Sequence, residues 1–91
     1  MARKYCVVNK WIKDRKIKDR DYRAIHFIDG VNELLEKSGH DGALLSGTLL
    51  NYHDRNPGAK WNSPTMRAAI VVYTQGDIRQ EMLPQPKAKG A

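Results

Sequence analysis

Cysteine is nearly missing from this sequence, since Cys6 is the only one among 91 residues. A lone cysteine excludes an intrachain disulfide, and it excludes the zinc sites that are built from several cysteines. Such a chain suits a reducing compartment. No histidine stands at a fixed spacing from Cys6 to act as its base, so we expect a buried core thiol rather than a nucleophile.

Long apolar runs are also missing. Near the N-terminus only four residues, Tyr5 to Val8, precede the polar pair Asn9 and Lys10, which is too short for the apolar core of a signal peptide. No run approaches the length that a membrane helix needs. We therefore expect a cytoplasmic protein with no membrane partner.

The usual marks of a small enzyme are missing too. No glycine-rich loop ends in Lys-Ser or Lys-Thr, which argues against a phosphate-binding site of the kinase or nucleotidase type. The pairs His40-Asp41 and His53-Asp54 contain metal-ligand side chains. A metal-dependent hydrolase surrounds its ions with ligands from several helices, a shell that so short a chain is too small to supply. We expect a non-catalytic protein without a cofactor or a metal.

The composition that remains is that of a folded chain. Hydrophobic residues make up 41% and charged residues 29%, and tryptophan, tyrosine and phenylalanine are all present. The length suffices for one hydrophobic core and leaves little room for an internal cleft. We predict one small basic domain over residues 1–84 and a disordered basic tail over residues 85–91, where the sequence is PKAKGA after Gln85.

Positive charge is concentrated near the N-terminus. The net charge is +6. Residues 1–23 contain nine lysines and arginines against three aspartates, whereas residues 24–84 contain five bases against seven acids. A local positive field on an otherwise near-neutral body favours a polyanionic partner more than an evenly basic surface does.

The basic segment contains the tetrapeptide Ile-Lys-Asp-Arg twice, five residues apart. On a helix this offset places the two copies on different faces, but it creates opposite charges four residues apart, which support a helix. These pairs are Lys10 with Asp14, Asp14 with Lys18, Arg15 with Asp19, and Asp19 with Arg23. We predict a helix over residues 9–20, with a hairpin at Asp14-Arg15 as the alternative and residues 4–8 as a short strand leading in.

The middle of the chain shows helical spacing of apolar residues. Between Asp21 and Gly39 they recur every three or four residues, which predicts a helix that includes residues 30–38. Asp29-Gly30 leaves open a second interpretation, in which residues 23–28 form a strand and Asp29 caps the helix. Residues 43–53 are predicted as a second helix or strand.

Residues 64–75 give contradictory signals. Ser63-Pro64 is typical of a helix start and Gly76 of a helix end. The run of residues 69–73, AIVVY, is the most β-prone of the chain. We predict an α+β fold, a small single domain with two or three helices and a short sheet, and keep an all-α bundle as the alternative.

These features predict a nucleic-acid-binding accessory protein, of DNA or RNA, that contacts phosphates through its basic N-terminal segment. Basic side chains around an aromatic ring suit backbone contact and base stacking, although the alternative that one or both of Trp11 and Tyr22 are core anchors is favoured. Pairing into a homodimer would enlarge a small core. The predicted contact residues are Lys10, Trp11, Lys13, Arg15, Lys16, Lys18, Arg20 and Arg23.

Two further hypotheses use the same residues differently. The first is a small modulator or inhibitor that docks on the acidic surface of a partner protein, steered by the same charge. The second is a helix-turn-helix in which residues 31–39 support a reader over residues 45–55. Its five-residue turn, residues 39–43, is longer than the motif expects, and the region has no positive excess. The polar side chains that such a reader would present are Ser46, Thr48, Asn51, His53 and Arg55.

Overall fold

The described part of the chain is all-helical. The structure, a computed structural model, describes residues 6–40 and 42–84. No strand occurs in these two ranges, so the predicted α+β fold with a short sheet is wrong and the all-α alternative fits. The elements are α1 (Val7–Lys18), α2 (Ala24–Lys37), α3 (Gly47–Arg55), α4 (Pro64–Tyr73) and a short 3₁₀ helix (Gln80–Met82).

Helix α1 decides between the two interpretations of the repeated tetrapeptide in favour of a helix. The first copy, residues 12–15, lies within α1, and the second copy, residues 17–20, spans its C-terminal end. No hairpin forms at Asp14-Arg15. Val7 and Val8 belong to its first turn, whereas Lys4 and Tyr5 of the predicted leading strand lie outside the described residues. The helix ends in a turn, where the backbone N–H of Tyr22 donates to the carbonyl of Asp19 at 3.1 Å.

Helix α2 runs through Asp29-Gly30 without a break, so the alternative with a strand before Asp29 is wrong. Its apolar residues supply the centre of the core, with Phe27, Val31 and Leu35 fully buried. Gly30 lies where the ring of Tyr73 crosses the helix, and an added Cβ there would stand 2.0 Å from Tyr73 Cε1. The glycine is therefore a packing residue rather than a turn residue.

Helices α3 and α4 both begin at serine caps. The hydroxyl of Ser46 accepts from the N–H of Leu49 at 3.2 Å, and that of Ser63 accepts from the N–H of Met66 at 3.1 Å. Such caps satisfy N–H groups that have no partner within the helix. Residues 69–73, the β-prone run within the segment that the sequence left open between helix and strand, lie in α4. The helix or strand expected at residues 43–53 is helix α3.

Helices α2 and α4 pack antiparallel. Gly30 meets Tyr73, while Leu34 and Ser38, further along α2, share a groove with Thr65 and Ala69, earlier on α4. After α4 the chain returns across the core and buries Ile78 and Leu83. The tail predicted as disordered, residues 85–91, lies outside the described residues.

Candidate nucleic-acid interface

Helix α1 is anchored in its first half only. Val8 and Ile12 are buried, and the side-chain amide of Asn9 donates to the carbonyl of Leu50 in α3 at 3.2 Å. From residue 13 to residue 18 every side chain is exposed, including Ile17, of which 81% is accessible. The second half of α1 therefore lies outside the core.

Every described base of the predicted site is exposed. Helical geometry places residues three apart about 60° from each other, so they form slanted rows along a helix. Lys10 and Lys13 make one such row on the side of α1 that faces away from Val8 and Ile12; we call it the outer row. Lys16 follows Ile12 by four residues, so it lies on the Ile12 side of the helix but beyond the part that is buried. Arg15 and Lys18 make a second row around the helix. The exposed set is Lys10, Lys13, Arg15, Lys16, Lys18, Arg20 and Arg23.

Arg15 and Lys18 lie beside acidic groups. They line a shallow pocket of about 370 Å³ together with Trp11, Asp14 and Asp77. The guanidinium carbon of Arg15 is 5.9 Å from the ring centroid of Trp11 and equally far from that of Tyr22. Two carboxylates in the same pocket offset part of the positive charge, so this side of α1 is less suited to phosphate than the outer row.

The two arginines of the turn after α1 differ in their contacts. The Nη1 atom of Arg23 donates to the carbonyls of Arg20 at 2.8 Å and of Tyr22 at 3.1 Å. Its backbone N–H donates to Nδ1 of His26 at 2.9 Å. Arg23 thus holds the turn into α2, whereas the structure gives the Arg20 side chain no such bond to the described residues.

The charge pairs expected from four-residue spacing do not form. In residues 6–40 and 42–84, no ion pair joins Lys10 to Asp14, Asp14 to Lys18, Arg15 to Asp19 or Asp19 to Arg23; ion pairs do join Glu33 to Lys37 at 3.2 Å and Arg79 to Glu81 at 3.6 Å. Exposed pairs of this kind are worth little in water. Asp14 and Asp19 therefore lower the local field without forming these four ion pairs.

Trp11 and Tyr22 belong to an aromatic cluster. The ring centroid of Trp11 lies 6.0 Å from Tyr22, 5.6 Å from Phe27 and 5.9 Å from Tyr73. Its indole N–H donates to Asp77 at 3.1 Å. Tyr22 is buried, its hydroxyl lies 2.9 Å from that of Tyr73, and burial raises its pKa. These rings attach α1 to the body, and we therefore assign them no base stacking.

A polar face on helix α3 also lies at the surface. Thr48, Asn51, Tyr52 and Arg55 are exposed and line a depression of about 420 Å³ with Asn56. Asn51, Tyr52 and Arg55 follow Thr48 by three, four and seven residues, a spacing that places all four on one side of a helix and could be seen in the sequence. Of the other predicted reader residues, Ser46 is a helix cap and His53 is buried, so His53 does not reach a ligand at this surface.

Acidic side chains gather on another helix. Asp29, Glu33 and Glu36 are exposed and spaced four and seven residues apart on α2, which puts them on one face. Charge is therefore separated in the fold: α1 carries the basic side chains and α2 carries acidic ones. This separation is invisible in the net charge alone.

The other chemical candidates do not assemble into a site. Among the residues that the structure describes, no three histidine, cysteine, aspartate or glutamate side chains lie close enough to hold a metal. Cys6 is buried, and desolvation raises the pKa of its thiol. Within the same ranges no helix is both long enough and apolar enough to cross a bilayer.

No protein-family model matches this chain, and no curated protein or solved structure is significantly similar to it. The function proposed for the basic surface consequently depends on the charges and geometry described above.

Proposed function

We propose that this protein is a non-catalytic accessory protein that binds nucleic acid through the basic segment of α1 and the turn that follows it. The observation that carries the proposal is the exposure of α1 from residue 13 to residue 18. A helix that buries only its first half needs no lysines for folding in its second half. The phosphate contacts would come from Lys10, Lys13, Arg15, Lys16, Lys18, Arg20 and Arg23.

The energetic basis of this binding is the release of counterions. Each phosphate neutralised by a lysine or arginine releases condensed cations, which contributes about 0.9 to the slope of log affinity against log salt for duplex DNA. If five to seven contacts form, the slope is about −4.5 to −6.3. Contacts of this kind position a protein on a polymer without reading its sequence.

The proposal includes a cytoplasmic location and allows a homodimer. A single buried thiol is compatible with a reducing compartment such as the cytoplasm, which also contains nucleic acid. Ile17, which is 81% exposed on the free half of α1, is an apolar side chain that a second copy could cover. Sedimentation with and without nucleic acid would measure the oligomeric state.

The test compares two triple variants that lose the same charge at different places. The first replaces Lys13, Lys16 and Lys18 by glutamine; the second replaces Lys37, Lys60 and Arg79, which are exposed outside the basic segment. Glutamine is about as good a helix former as lysine. Affinity for duplex DNA, single strands and RNA is measured against salt by fluorescence anisotropy.

We expect the first variant to bind at least about tenfold more weakly at low salt and to lose about two to three units of salt slope. The second variant should stay within about threefold of the parent protein. Equal losses in both variants would contradict a localised site. Failure of the parent protein to bind any of the three polymers at about 50 mM salt would overturn the proposal and favour docking on an acidic protein.

A further inference from the structure

The outer face of α3 has no role in holding the fold together. In the described part of the chain, the side chains of Thr48, Asn51 and Arg55 make no hydrogen bond or ion pair, and all three are exposed. The fourth member, Tyr52, is 54% exposed. No acidic residue lies among these four, so the face carries hydrogen-bonding groups and one positive charge.

Helix α1 packs against another side of α3. The side chain of Asn9 bonds to Leu50, and Cys6, just before α1, is close enough to Asp54 for that carboxylate to act on its thiol. The start of α1 thus faces the end of α3, and the two helices are antiparallel. At 1.5 Å per residue, Lys13 lies about 6 Å beyond Asn9 along α1, level with the first turn of α3.

The outer row of α1 and the polar face of α3 both lie on the outside of the fold, on two helices that are in contact. Each helix turns its buried residues, Val8 and Ile12 in α1 and Leu50 and His53 in α3, toward the same core. Their opposite sides therefore both face away from that core. The neighbouring helix adds positive charge to the single charge that Arg55 gives the face of α3.

We propose that α3 enters the major groove of duplex DNA, where Thr48, Asn51 and Arg55 contact base edges, while the outer row of α1 contacts phosphates at the rim. This inference rests on the proposed function and adds sequence preference to it. The major groove is about 12 Å wide and admits one helix. Asparagine pairs with adenine, arginine with guanine, and the threonine methyl packs against that of thymine.

The size of the face sets the length of the sequence that it reads. Residues 48–55 rise about 10 Å along α3, which corresponds to about three base pairs at 3.4 Å each. One copy would therefore read a motif of about three or four base pairs. A homodimer would read two such motifs at a fixed spacing.

Other polymers fit this surface less well. The major groove of duplex RNA is too deep and narrow for side chains to read. Single strands are bound by several exposed aromatic rings in succession, but this surface offers Tyr52 alone, because Trp11 and Tyr22 are packed in the aromatic cluster. The surface is also not a compact helix-turn-helix, because residues 38–46 separate α2 from α3, whereas that motif uses about three or four.

The test selects duplexes from a pool with about 20 random base pairs, using the full chain, and then measures affinity for the enriched and the scrambled sequence. Asn51→Ala and Arg55→Ala are compared with Asn62→Ala and Arg79→Ala, which change exposed residues of the same types elsewhere. Melting temperatures confirm that all four variants fold.

We expect a motif of about three or four base pairs to be enriched, and Asn51→Ala or Arg55→Ala to reduce its preference over the scrambled duplex about fivefold or more. The two control variants should keep the preference. Binding without an enriched motif, an unchanged preference in Asn51→Ala, or tighter binding to duplex RNA would overturn this inference while leaving the proposed function intact. Absence of binding to every polymer would overturn both.

Discussion

The imidazole of His53 lies parallel to the indole of Trp61, with ring centroids 3.7 Å apart and the planes 3° from parallel. Both residues are nearly inaccessible, at 2% and 3% exposure. Neither Nδ1 of His53 nor Nε1 of Trp61 has a hydrogen-bond partner among the described residues. The stack joins α3 to the segment before α4, and it buries the ionisable imidazole of His53 in an apolar environment.

This stack predicts that stability falls in mild acid. Burial lowers the pKa of His53 below its ordinary value near 6.5, and a backbone hydrogen bond with Ala59 offsets this only in part. Well above pH 6.5 the imidazole is neutral in both the folded and the unfolded state, so it contributes no pH dependence there. As pH falls through 6.5 the unfolded chain takes up a proton that the folded chain resists, so the free energy of unfolding decreases until the folded pKa is reached.

Urea denaturation between pH 5 and pH 8, about one and a half units either side of the ordinary histidine pKa, measures this effect. The matched variant is His53→Phe, which keeps a stacked ring but cannot titrate, while His26 and His40 remain in both proteins. The parent protein should lose more stability than the variant between pH 7 and pH 5, by up to about 1.4 kcal/mol per pH unit. Parallel curves would show that His53 is not the group responsible.

A second prediction concerns the crossing of α2 and α4. Gly30→Ala would place a methyl group 2.0 Å from Cε1 and 2.6 Å from Cδ1 of Tyr73. That ring packs against Phe27, and its hydroxyl lies 2.9 Å from that of Tyr22, so it cannot swing aside freely. Overpacking of this kind costs about 1–3 kcal/mol, which exceeds the gain of up to about 1 kcal/mol from helix propensity.

Gly47→Ala is the control for this prediction, because it makes the same change at the first position of α3, where an added Cβ meets no atom within 4 Å. Thermal unfolding should lower the melting temperature of Gly30→Ala and leave that of Gly47→Ala unchanged or slightly raised. If Gly30→Ala were as stable as the parent, Tyr73 would not be fixed where the structure places it.

The fold could be predicted from the sequence where apolar spacing was the signal. The helical spacing of Phe27, Val31 and Leu35 predicts α2, and all three residues are buried in the core. The AIVVY run contributed to the wrong prediction of a short sheet. Its residues favour a strand only where a neighbouring strand is present to pair with them. The described residues offer no such strand, so the helix start and stop signals determine the structure of this segment. Ser63 caps the start of α4. Gly76, at φ 86°, follows the last turn and donates its N–H to the carbonyl of Val71.

The candidate site could be predicted only in part. The exposure of the α1 lysines could be predicted from their charge, because burying a charged side chain is costly. The position of Trp11 could not be predicted, since its partners Tyr73 and Asp77 are distant in sequence and meet it only after folding. The face of α3 was visible in its spacing, but its basic neighbour comes from the pairing of Asn9 with Leu50.

A third prediction concerns the link between α2 and the segment that leads to α3. The side chain of Asn32 donates to the carbonyl of Leu45 at 2.9 Å and accepts from its N–H at 2.8 Å. Asn32→Asp keeps the shape but has no N–H to donate, and it sets a carboxylate against the Leu45 carbonyl. The loss should be about 1–3 kcal/mol, measured by urea denaturation near pH 7. Recovery of stability at low pH, where the acid is protonated, would confirm the cause; an unchanged stability at pH 7 would contradict it.

The start of α4 gives the last prediction. Pro64 presets the first helical residue, and Ser63 accepts from the N–H of Met66, so two local features define this end of the helix. Ser63→Ala removes only the second and should cost about 1 kcal/mol in thermal or urea unfolding. Ser63→Asp restores an acceptor and adds a charge that the helix dipole favours, so it should recover the loss. Ser38→Ala, the control, removes an exposed hydroxyl that donates to the carbonyl of Leu34 four residues earlier. Such a bond adds little to helix stability, so this variant should stay within about 0.5 kcal/mol. A Ser63→Ala variant as stable as Ser38→Ala would mean that Pro64 and the packing of Met66 determine where α4 begins, with no help from the cap.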